Sequence, residues 1–174
     1  MNARRSVILG AVLAALILYF ALFEGFSVER PPPESEGGVK LFDCKPSAPT
    51  EIRVTSQRGT VAARRSGEDW QTSAGGLAPT AFAGLAEALC RLPIIDRIGG
   101  AAKLGDFGLE PSAAEIRVTI GGRERSLLVG AATPASNLLY AKFAGEPDVL
   151  KLGAELAADV ERVSAFATPA GESS

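Results

Sequence analysis

The chain has 174 residues, with 18 Lys+Arg against 20 Asp+Glu, two cysteines and no histidine. The missing histidine excludes Ser-His and Cys-His catalysis and His-containing metal sites, and two cysteines alone do not complete a four-ligand zinc site. Setting aside residues 1–23, which hold Arg4 and Arg5, leaves 16 Lys+Arg and 20 Asp+Glu, a net charge of −4; with no basic stripe interleaved with aromatics, this argues against a nucleic-acid partner.

Residues 1–6 read as a short cytoplasmic N-terminus, and residues 7–23 form an unbroken apolar run of 17. A hydrocarbon core of about 30 Å takes about 17–25 apolar helical residues, so the run predicts a single N-terminal transmembrane helix. Tyr19, Phe20 and Phe23 fall late in it, where aromatic rings favour the headgroup level. Arg4 and Arg5 precede the run, and no Lys or Arg follows it before Arg30. The bias predicts a single-pass membrane protein with its N-terminus cytoplasmic and its C-terminal domain extracytoplasmic. A cleaved signal peptide begins in the same way but ends in a small-x-small site. Here the run closes on Phe20-Ala21-Leu22-Phe23-Glu24, which is bulky at the needed positions. Gly10/Ala14 and Ala11/Ala15 are small-xxx-small pairs, read either as a helix-packing face or as lipid-facing filler.

Residues 24–40 contain Pro31-Pro32-Pro33 and Gly37-Gly38 and read as a linker, extended or flexible. The soluble domain is expected over 41–166, in halves of about 41–98 and 104–166. Glu51-Ile52-Arg53-Val54-Thr55 recurs as Glu115-Ile116-Arg117-Val118-Thr119, 64 residues later. Both copies alternate apolar and polar residues, the period of a half-buried strand. Gln57-Arg58-Gly59 and Gly121-Gly122-Arg123 are hairpin signals after them. Second strands are expected at 60–64 and 125–129, third strands at 69–72 and 138–143. Phe82, Leu85, Leu89 and Leu92 then share one helical face, with Pro79 at its start and Pro93 at its stop. Leu152, Leu156, Val160 and Val163 mark a second helix. The expected fold class is α+β: the transmembrane helix, then a duplicated β-β-β-α unit with antiparallel hairpins. Residues 94–112 join the halves, and 167–174 form a disordered tail.

Cys44 and Cys90 both fall on the expected outer side, where an oxidising compartment permits a disulfide; two separate buried thiols are the other reading. Trp70 reads as a core residue of the first half or as a partner contact. Gly108 is expected to take a positive φ, and Gly130 to end a strand in a tight turn. Phe107 and Leu109 are expected to bury between the halves, with Tyr140 as a further partner or inter-half contact. The adjacent acids Glu68-Asp69 follow Gly67 and read as a solvated turn rather than a catalytic pair.

Leu41-Phe42-Asp43, then Glu51-Ile52-Arg53-Val54-Thr55 and Asp69-Trp70, resemble the start of a DUF4340 domain, as does the helix over 82–92. Leu104-Gly105-Asp106-Phe107-Gly108-Leu109-Glu110-Pro111 resembles that family's aromatic-Gly-Leu-x-Pro signature, continued by residues 116–120 and Leu127-Leu128-Val129-Gly130. Leu139-Tyr140-Ala141-Lys142 resembles its x-Tyr-Ala-Arg strand, with Lys142 where Arg is usual, and Val149-Leu150-Lys151-Leu152 follows. The resemblance covers about 41–163. It implies a bacterial, envelope-associated protein with an N-terminal membrane helix, and some relatives are auxiliary components of gliding-motility-type ABC transport systems. It supplies no catalytic residues, and the chain is short for a family that often has several such units.

These readings lead to a non-enzymatic protein that uses the membrane as anchor, needs no cofactor or metal, and binds a protein partner in the membrane or envelope. That partner is an ABC-type transport or motility assembly on the resemblance. The alternative is a ligand-binding or sensory domain with a pocket between the halves. A carboxylate-based hydrolase requires two converging acids, and no sequence feature points to them.

Overall fold

The computed structural model describes residues 38–74, 76–100, 103–133 and 136–168. The expected cytoplasmic N-terminus (1–6), the apolar run (7–23), nearly all of the linker and the tail beyond 168 lie outside the described residues. Among the described residues, no helix is long and apolar enough to cross a membrane.

Among the described residues, eight strands run β1 (Pro49–Ser56), β2 (Gly59–Ser66), β3 (Asp69–Thr72), β4 (Asp96–Ile98), β5 (Ala114–Ile120), β6 (Arg123–Thr133), β7 (Leu138–Phe143) and β8 (Val149–Gly153). The described residues also form two helices, α1 (Ala78–Arg91) after β3 and α2 (Glu155–Ser164) after β8. All eight strands join one sheet in the order β3-β2-β1-β5-β6-β7-β8-β4, and every pairing is antiparallel. This corrects the expected fold class. The described residues do not build two successive β-β-β-α units. They build one continuous antiparallel sheet with two helices.

Two local facts explain the difference. The joint at 94–112 contains a strand: Asp96, Arg97 and Ile98 pair with Lys151, Leu150 and Val149, adding β4 at the far edge. Leu152, expected on the second helix, instead lies in β8 opposite Leu139 of β7. The helix begins only after Gly153.

The repeated pentapeptide is a pairing interface. β1 and β5 lie side by side at the middle of the sheet, with Ile52 opposite Val118, Arg53 opposite Arg117 and Val54 opposite Ile116. The two copies therefore run antiparallel to each other about the arginine pair. The flanking hairpins keep matching registers: Ile52↔Ala63 and Val54↔Val61 in one, Ile116↔Leu127 and Val118↔Arg125 in the other.

Alternation sends Ile52, Val54, Ile116 and Val118 to one face, where each is at most 1% exposed. Both helices cover that face: α1 and α2 contact each other and β1, with α1 reaching β3 and α2 reaching β2. Phe82, Leu85 and Leu89 of α1 and Leu156 and Val163 of α2 are fully buried there. These side chains form the core whose burial must offset the entropy of ordering the chain. Pro79 sits in the first turn of α1, where its missing N–H costs nothing. Leu92 turns extended at the far end, the conformation that the clash with Pro93 favours. Phe42 packs edge-on against Phe143 at 5.4 Å, carrying the core toward β7. At the other end, Thr168 bridges to Thr60, so the last described residue pairs with the free edge of β2.

Candidate functional site

The helices leave the opposite sheet face open, and charged residues cross its centre. Arg64 of β2 donates to Glu51 of β1 at 3.0 Å, and Arg53 lies 3.6 Å from the same carboxylate. On β5, Arg117 pairs with Glu115 at 2.9 Å, and the Ser126 hydroxyl on β6 donates to the same Glu115. The Arg117 guanidinium first, and the Ser126 hydroxyl second, hold the Glu115 carboxyl below its ordinary value. Like charges directly opposite across strands are destabilising, yet Arg53 and Arg117 face each other at the sheet centre. Their side chains are 48% and 47% exposed, so both are open to a partner.

Farther along this face, residues 103–113 form a strap over β6 and β7. It opens with a 3-10 turn at Leu104–Phe107. Gly108 takes φ 63, a left-handed conformation natural to glycine. Gly130 does not end a strand, as the sequence had implied: it lies within β6, beside a bulge between Val129 and Ala132. A Cβ on Gly130 would stand 2.3 Å from the Phe107 carbonyl oxygen, and one on Gly108 would stand 2.9 Å from the Ala131 nitrogen. The two glycines thus let strap and strand touch through backbone.

The singled-out residues fall in three places. Leu109 is 4% exposed against Gly130, and Phe107 meets Tyr140 edge-on at 4.8 Å. That cluster belongs to the strap and the strands beneath it, all in the second half, and does not lie between halves. Trp70 is buried in the first half, stacked on Phe82 at 6.2 Å. Cys44 and Cys90 are joined by a disulfide, Cα to Cα 5.6 Å, tying the segment before β1 to the last turn of α1.

Two concave regions were not visible in the sequence. One, about 390 Å³, is lined by Phe42, Asp43, Lys45, Arg123 and Arg125. Arg125 is already engaged, 3.7 Å over the Phe143 ring and paired with Glu146. The other, about 370 Å³, lies under α2 and includes Ser164. Ser164 follows Leu156 and Val160 at four-residue spacing on the apolar face of α2, and a polar residue in that series is the signal that could have found it. At the β4 edge, Lys151 donates to Asp96 at 2.8 Å, which lowers the Asp96 carboxyl and raises the Lys151 amine. Among the described residues, no cluster of three or more His, Cys, Asp or Glu is placed to hold a metal ion.

No family model, no curated protein and no solved structure matches the chain.

Proposed function

We propose that this chain is a non-enzymatic, membrane-tethered protein of the bacterial envelope, whose domain sits outside the cytoplasm and binds a protein partner through the open sheet face. The apolar run at 7–23 with Arg4 and Arg5 before it supports the tether and its direction. The Cys44–Cys90 disulfide suits an oxidising compartment. The resemblance to DUF4340 domains rests on the order of short motifs and favours a subunit of an ABC-type transport or motility assembly as partner.

The observation that carries the binding surface is the Arg53–Arg117 pair. Arg53 shares the Glu51 carboxylate with Arg64, and Arg117 has Glu115. Three guanidinium groups against two carboxylates leave one excess positive charge, which an acidic segment laid across the half-exposed arginines complements. The partner segment is therefore acidic. Crosslinked membranes carrying tagged wild-type chain should yield a defined complex, and the double variant R53E/R117E should lose at least tenfold of it. Equal recovery with the double variant, or recovery of the free monomer alone in several mild detergents, rules the reading out.

A further inference from the structure

The cleft under α2 has features that protein docking on the opposite face does not use. Its walls are Ala113, Val129, Leu139, Ala157 and Val160, and its volume of about 370 Å³ is that of a small-molecule site. Arg58, from the turn of the first hairpin, pairs with Glu161 of α2 at 3.4 Å beside the cleft. Ser164 lines the cleft at 5% exposure, and its Oγ is buried without a hydrogen-bond partner among the described residues. A buried hydroxyl in a native fold is normally paired, and each exception calls for an explanation. Alanine at this position would preserve the apolar face of α2 without that cost.

We propose that this cleft binds a small, neutral, largely apolar molecule whose single hydrogen-bonding group pairs with Ser164 Oγ. The ligand is neutral because the charges lining the cleft, Arg58 and Glu161, are already paired with each other. It is mostly apolar because five alanine, valine and leucine side chains form the walls. Its one polar group is set by the one unpaired hydroxyl.

Cyclohexanol is a suitable probe, titrated into isotope-labelled full-length chain in lipid nanodiscs while the methyl signals of Val129, Leu139 and Val160 are followed. Those signals should shift saturably. Ser164→Ala should weaken cyclohexanol binding about fivefold, the loss of one hydrogen bond, and leave the melting temperature of the unliganded protein unchanged or raised. Val160→Trp should fill the cleft and abolish the shifts. No saturable shift up to the solubility limit overturns the proposal. So does a Ser164→Ala variant that melts lower and binds cyclohexanol as well as wild type, because the hydroxyl then serves the fold, through a buried water, and not a ligand.

Discussion

The two copies of Glu-Ile-Arg-Val-Thr occupy the same sheet, in the same register, and yet live in different surroundings. Their apolar residues behave alike: Ile52, Val54 and Ile116 are fully buried and Val118 is 1% exposed. Their polar residues diverge because the flanking strands differ. Glu51 of β1 faces Arg64 on β2, whereas Glu115 of β5 faces Leu128 on β6 and takes a hydroxyl from Ser126. Beyond them, the first hairpin presents exposed Ser66 where the second presents Gly130 beneath the strap. The first half alone is closed by a disulfide. A repeated sequence thus sets the buried side of a strand by itself, while its solvent side takes its chemistry from whatever pairs with it.

The largest test of this contrast is the covalent one. Replacing Cys44 and Cys90 together by serine should cost about 4 kcal/mol, from the loop entropy the bond removes from the unfolded chain, as read by urea denaturation under oxidising conditions. A loss under 1 kcal/mol would show that the first half does not depend on its bond. Next come the equivalent core positions. Ile52→Ala and Ile116→Ala should each cost about 3 kcal/mol, and a gap above 2 kcal/mol between them would break the claim that the copies are equally packed. Gly130→Ala should cost about 2 kcal/mol because its Cβ meets the Phe107 carbonyl, while Ser66→Ala in the first hairpin should stay within about 0.5 kcal/mol. A similar cost at both positions would mean that the strap is not seated on β6.

The smallest effect is electrostatic. The folded protein lowers the Glu115 carboxyl, so that group adds stability above its ordinary value of 4.5 and loses it as the pH falls through the lower folded value. Glu115→Gln should therefore cost about 0.5 kcal/mol at pH 7, with the difference from wild type closing below pH 4.5. A difference that persists unchanged at pH 3 contradicts the assignment to ionisation.

Alternation in the pentapeptides and the Gly-rich turns made β1, β2, β5 and β6 legible in the sequence, and the Phe82–Leu85–Leu89 spacing did the same for α1. β4 was not legible because Asp96-Arg97-Ile98 is short, largely polar and without alternation. β8 was missed because Val149-Leu150-Lys151-Leu152 is a short apolar run, which periodicity cannot divide between strand and helix. The adjacency of β1 and β5 is a long-range pairing, and nothing local encodes it. The same limit governs the sites. Arg53 and Arg117 are each ordinary strand residues, and only the central pairing sets them side by side. Ser164 stands out only once the helix face it occupies is known to be buried.

The chain enters the domain where Leu41 donates to the Leu92 carbonyl at 2.9 Å and Lys40 bridges to Pro93, next to the Cys44–Cys90 bond. Tension drawn along the chain between residues 38 and 168 is carried across that bond. Residues 45–89, which include β1, β2, β3 and most of α1, lie inside the covalent loop and cannot pay out. The bond withholds roughly 150 Å of contour length. A molecule pulled at its ends can lengthen only through the strands and helix that follow residue 90, so the second half acts as the extensible element and the first as a fixed stop.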